Sequence, residues 1–158
     1  MSPDFRAGFL TGIVVMILAI VLIGFWPVKA ESFLVASVGS YHFKRKDYCE
    51  VNPGVGFEHS ILKDTRLVAG TYQNSLCNPS NYIGLSWAPL RFENWRLGVA
   101  AIAITGYEDD KKKRADKVIV VPLPTLSYEG RRWGANLVVI PPYEDFRGGG
   151  GLQLKVRF

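Results

Sequence analysis

The sequence predicts an all-β chain: an eight-stranded antiparallel up-and-down barrel of the membrane type, preceded by an apolar N-terminal helix. Three observations predict it. Beyond residue 30 the chain is a series of short alternating runs separated by turn residues, with no helical periodicity. The links between those runs are long and short by turns. The last run, Leu152-Gln153-Leu154-Lys155-Val156-Arg157-Phe158, alternates apolar and polar residues without a break and ends on an aromatic.

The bulk composition agrees with a single folded domain. The chain has 158 residues, of which 48% are apolar, 13% aromatic and 21% charged, with 16 glycines. That apolar content excludes a disordered chain. The net charge of +5 suits an anionic surface such as lipid headgroups. No helix-turn-helix, zinc or RNA-binding motif accompanies the charge, so a nucleic-acid partner is not expected.

The first element is the uncharged segment Gly8–Trp26, long enough to span a bilayer as a helix. Arg6 precedes it, and Pro27-Val28-Lys29-Ala30 follows with the small-residue pattern of a signal-peptidase site. Residues 1–30 therefore read either as a cleaved signal peptide or as a retained anchor. Both export residues 31–158, the barrel domain, which at roughly 130 residues is long enough for about eight strands of membrane length.

The strands are expected, in order, near Phe33–Lys44, Val51–Ser60, Arg66–Leu76, Asn81–Leu90, Trp95–Tyr107, Val118–Tyr128, Arg132–Ile140 and Gly150–Phe158. Each is about the length that crosses a bilayer at a tilt of roughly 45°. Links Arg45–Glu50, Cys77–Ser80, Glu108–Lys117 and Pro141–Gly149 fall at one end. The tight links Ile61–Thr65, Arg91–Asn94 and Glu129–Arg131 fall at the other. A soluble lipocalin-like barrel shows similar alternation. In the last strand Leu152, Leu154, Val156 and Phe158 should face lipid, with Gln153, Lys155 and Arg157 in the lumen. An ordinary amphipathic edge strand reads the same way.

The prolines bear on strand pairing. Pro122 and Pro124 stand inside a strand, Pro141 and Pro142 end the next, and Pro53 stands in the second. Proline offers no N–H to a ladder, so pairing between the sixth and seventh strands, and between the first and second, is expected to weaken. Cys49 and Cys77 show no metal-ligand spacing; the topology puts both on the long-link rim, where export permits a disulfide. The charged run Glu108–Arg114 reads as a solvated loop, or as a contact for lipopolysaccharide phosphates. His59 lies toward the opposite end and is assigned no role.

Several segments, in order, resemble the outer-membrane lipid A palmitoyltransferases. Tyr41-His42-Phe43 lies where that family keeps an essential histidine. Asn52-Pro53-Gly54-Val55-Gly56-Phe57 is similar to its Gly-rich second strand. Tyr72-Gln73-Asn74-Ser75 stands where the family has an aspartate before its catalytic serine. Ser86-Trp87-Ala88-Pro89-Leu90, Trp95-Arg96-Leu97-Gly98, Val121-Pro122-Leu123-Pro124, Ile140-Pro141 and the final Phe158 follow in sequence. The resemblance covers nearly all of residues 40–158. It departs at Asn74, which replaces the acid, and in leaving almost no room at residues 31–33 for the family's amphipathic helix, unless the apolar N-terminus replaces it.

The resemblance implies acyl transfer from a phospholipid donor to a lipid A-like acceptor, without cofactor or metal, by a monomer inserted by the barrel assembly machinery. His42 would manage the proton, Ser75 would attack or orient the acceptor hydroxyl, and Asn74 would assist. Asn74 cannot supply the charge that stabilises an imidazolium. Pro53, Pro122, Pro124 and Pro141 would mark lateral gates for the acyl chain. Asn74 also keeps open a different class, a non-catalytic barrel that binds lipid or alters the cell surface. A periplasm-facing barrel tethered by residues 8–26 is a further alternative.

Overall fold

The computed structural model describes residues 31–43, 48–107, 118–142 and 148–158. The signal or anchor segment and the run Glu108–Arg114 lie outside the described residues. Among the described residues no helix is long and apolar enough to cross a membrane, which says nothing of crossing by strands.

Eight strands follow one another: β1 Ser32–His42, β2 Val51–Leu62, β3 Thr65–Gln73, β4 Pro79–Phe92, β5 Trp95–Ile104, β6 Ile119–Glu129, β7 Trp133–Ile140 and β8 Gly149–Arg157. Each pairs antiparallel with the next, and β8 returns to β1 to close the barrel. Closure leaves no edge strand to be covered. Two strands stop three residues short of their expected ends: β3 at Gln73 and β5 at Ile104. The cause is the same in both, because the Asn74 side chain captures the backbone beyond them, as described below.

The barrel is apolar outside and mixed within. Leu34, Val55, Ile83, Leu85, Val99, Val120, Leu137, Leu152 and Leu154 are exposed on the outer wall. Toward the short-turn end an aromatic band of Trp87, Phe92, Trp95, Trp133 and Phe158 joins them. Trp95 and Tyr128 pack edge to face at 5.1 Å. In β8 the expected alternation holds, with Leu152 and Leu154 out and Lys155 only 1% exposed.

The interior has two storeys. The lower, nearer the short turns, is a layer of ion pairs. Lys155 Nζ lies 3.1 Å from Glu58 Oε2 and 2.9 Å from Glu129 Oε1. Arg66 pairs with the same two carboxylates and reaches Glu31 at 3.2 Å, while Arg96 approaches Glu129 at 3.8 Å. Asn136 donates to Glu58 at 2.5 Å and accepts from the Ser127 hydroxyl at 2.8 Å. Lys155, Arg66 and Arg157 all stand 4.7–5.1 Å from the ring centre of Phe33, which is fully buried. Buried charges persist only when paired and hydrogen-bonded, and these are both. The upper storey is largely apolar: Val68, Ala100, Ile102 and Ile104, with Ile119, Val121, Leu123 and the tyrosines Tyr72, Tyr82 and Tyr107 packed against them.

Two irregularities shape the upper half. In β1 the register shifts between Ser37 and Gly39, where two steps along β1 match one along β8, from Gln153 to Leu152. The extra residue reverses the inward parity, so that Phe33 and Val35 point inward below the bulge and His42 points inward above it. The ladder between β6 and β7 runs only from Glu129↔Gly134 to Thr125↔Val138, whereas β6 stays paired with β5 up to Ile119↔Ile104. Pro122 and Pro124 stand in the stretch without β7 partners. They share one parity, so both missing N–H groups fall on the same edge of β6.

Candidate functional site

The long-link rim brings together segments that are far apart in sequence. His42, the last residue of β1, is 2% exposed, and its ring stacks on Tyr48 at 4.4 Å with an interplanar angle of 29°. Tyr48 leads into Cys49, whose backbone N–H donates to the Ser75 carbonyl at 2.9 Å. A disulfide joins Cys49 to Cys77, with their Cα atoms 5.5 Å apart. His42 and Ser75 are thus connected through one short strap, Tyr48-Cys49, fastened to the turn that carries the serine.

That turn is organised by Asn74, which is fully buried. Its Oδ1 accepts from Leu76 N at 2.8 Å and Asn78 N at 3.0 Å. Its Nδ2 donates to Ser80 Oγ at 2.9 Å and to the Gly106 carbonyl at 2.6 Å. An amide has two donor hydrogens and two acceptor lone pairs, so its capacity is fully used. The bonds to Leu76 and Asn78 bend the chain out of β3 into a turn. The bond to Gly106 draws in the end of β5, and Gly106 meets it with a φ of 86°, a conformation that favours glycine. This is why both strands end early. An aspartate here would set a carboxylate against the Gly106 carbonyl. The assistance expected of Asn74 toward His42 would need a donor or acceptor that the turn already occupies.

Beneath the turn lies a group of tyrosines to which the sequence assigns no role. The Tyr72 and Tyr107 hydroxyls are 2.9 Å apart, and the Asn74–Gly106 bond brings Tyr107 to the turn that carries Ser75. Tyr82 packs edge to face on Tyr72 at 5.9 Å. Its hydroxyl fits because Gly70 has no side chain; a Cβ there would come within 2.7 Å of it. Burial pushes the Tyr107 phenol up, and the hydroxyls of Tyr72 and Ser75 draw it part of the way back. Nothing in the sequence links Tyr72 with Tyr107. The available signal was the pair Gly106-Tyr107 just past an apolar strand.

A groove of about 690 Å³ lies in the wall below this rim. Ser37, Pro53, Gly54, Tyr72, Gln73 and Pro79 are among the residues that line it, and they come from both faces of the sheet. Pro53 therefore stands at this groove, Pro122 and Pro124 at the shortened β6–β7 ladder, and Pro141 directly after β7. His59 is hydrogen-bonded to Ser32 at 2.9 Å, far from the rim. Among the described residues no group of three or more His, Cys, Asp or Glu is gathered to hold a metal ion.

Fold and rim together define a closed eight-stranded antiparallel barrel with an apolar outer wall, an architecture compatible with an outer-membrane protein. No family model matches the chain, and no curated protein matches it.

Proposed function

We propose that this protein is an outer-membrane acyltransferase that moves a fatty acyl chain from a phospholipid to lipid A or a similar glycolipid. The observation that carries the reading is the rim, where the His42–Tyr48–Cys49 strap meets Ser75 above an apolar upper storey. An imidazole can take the proton of an attacking hydroxyl, and the aliphatic interior offers an acyl chain a dry environment. The groove at Pro53 and the incomplete β6–β7 ladder are the two places where a lipid in the bilayer has least wall to cross. The barrel assembly machinery would insert the protein, and the exposed apolar wall supports residence in a bilayer. A tethered barrel facing the periplasm would leave that wall in water.

Mass spectrometry of lipid A from Gram-negative cells expressing the chain tests this, beside Ser75→Ala and His42→Ala. A new acylated species that disappears in both variants, at equal insertion, is the expected result. An inserted wild-type barrel that leaves lipid A unchanged would sink the lipid A reading. A second reading, a non-catalytic lipid-binding barrel, is favoured by one observation: the Asn74 amide is wholly engaged in the turn and nothing acidic replaces it.

A further inference from the structure

Ester carbonyls become oxyanions when a hydroxyl adds to them, and a site that does this chemistry needs a hydrogen-bond donor aimed at that oxygen. Among the described residues, the Tyr107 phenol is a neutral donor held close to the Ser75 turn. Three features place it there. Asn74 fastens the Gly106 carbonyl at 2.6 Å, which turns the next residue under the Ser75 turn. The Tyr72 hydroxyl bonds it from behind at 2.9 Å. Tyr72 itself lines the 690 Å³ groove, so a carbonyl lodged there lies beside the residue that bonds Tyr107.

We propose that Tyr107 is a catalytic residue that donates its phenolic hydrogen to the oxyanion formed beside Ser75, and that Tyr72 is the positioning residue that holds the Tyr107 hydroxyl. The inference rests on the acyltransferase reading. In the step it describes, the attacking hydroxyl forms the new C–O bond to the ester carbonyl carbon and passes its proton to His42. The carbonyl π pair moves onto oxygen, where the Tyr107 O–H meets it. Collapse restores the C=O and breaks the donor's ester C–O bond, and the proton on His42 goes to the departing lysophospholipid oxygen. Tyr72 donates to the Tyr107 oxygen, leaving the Tyr107 hydrogen free for the oxyanion. A phenol that burial keeps protonated is suited to that work, as it loses nothing to ionisation near neutral pH.

The test uses the full protein in detergent micelles, with transfer from a phospholipid to lipid A and hydrolysis of p-nitrophenyl palmitate measured side by side. Tyr107→Phe removes one oxygen and keeps the ring, and folding is checked by heat-modifiable gel mobility. The expected result is a fall in kcat of about 10²-fold or more, with KM changed less than about threefold. Tyr72→Phe should lose about tenfold, also in kcat. A folded Tyr107→Phe protein that keeps wild-type kcat while Ser75→Ala is inactive overturns the inference and leaves the acyltransferase reading standing. Ester hydrolysis that depends on Tyr107, without transfer to lipid A, upholds the inference and removes only lipid A as acceptor. A wild-type protein inert toward both substrates overturns the reading and the inference together.

Discussion

Asn74 donates to the Gly106 carbonyl at 2.6 Å, a bond that joins the β3–β4 turn to the end of β5 across the top of the barrel. Substituting Asn74→Asp removes both donors and places a carboxylate against that carbonyl and the Ser80 hydroxyl. The variant should lose about 1–3 kcal/mol of stability, read from its urea midpoint at unchanged m. Proteolysis should also become faster near Thr105–Tyr107. A variant as stable as wild type would mean that the Asn74 amide contributes little to the rim.

The Cys49–Cys77 disulfide closes a loop of sequence separation 28, which corresponds to about 3–4 kcal/mol from loop entropy alone. The exported protein should therefore titrate no thiol before reductant and two after it. Double replacement with serine should lower the unfolding midpoint while leaving the barrel assembled, as β1–β8 pairing does not involve this link. Free thiols in the native protein would contradict the structure directly.

In the lower storey, Lys155→Ala leaves Glu58 and Glu129 each short of one cation in a buried layer. Removing one member of such a group should cost about 3–5 kcal/mol. The double variant Lys155→Met with Glu58→Gln should recover much of that loss, since it removes a charge of each sign. Strictly additive losses would show that the two side chains are not coupled, against their 3.1 Å separation.

Trp87, Trp95 and Trp133 are exposed on the outer wall. In vesicles containing phospholipids brominated on the acyl chains, their fluorescence should be quenched strongly in the folded protein and weakly in urea. Quenching absent from the folded state would remove the lipid from that wall.

Replacing Pro122 and Pro124 with alanine restores two backbone donors facing β7. Hydrogen exchange should then show new protection at these positions as the ladder extends above Thr125↔Val138. If lipid passes through this part of the wall, transfer to lipid A should slow in parallel. Extended protection with unchanged transfer would separate the prolines from access.

The alternation of β8 could be read directly, because seven consecutive residues obey period 2. The same rule could not place His42. Val38, Gly39 and Ser40 give no parity signal, and the bulge that turns His42 inward comes from pairing with β8, over a hundred residues away. The end of β3 is hidden in the sequence for a related reason. Tyr72-Gln73-Asn74-Ser75-Leu76 continues a plausible strand until the Asn74 side chain competes with the ladder for backbone hydrogens. The partners of the buried charges were hidden altogether: Glu58 and Lys155 are 97 positions apart, and only barrel closure brings them together. Tyr107 was visible as a strand end but not as a neighbour of Ser75, which depends on Asn74 and Gly106 acting at once.

The ion-pair layer also bears on the order in which this barrel can be completed. Glu58 belongs to β2 and Glu129 to β6, so both precede β8 in the chain. Lys155 arrives on β8, the strand that closes the wall. Until β8 docks between β7 and β1, two carboxylates face inward with part of their compensating charge missing, and docking one residue out of register would leave them so. Charge neutralisation thus coincides with closure, and the final strand acts as an electrostatic key that fits only the completed cylinder.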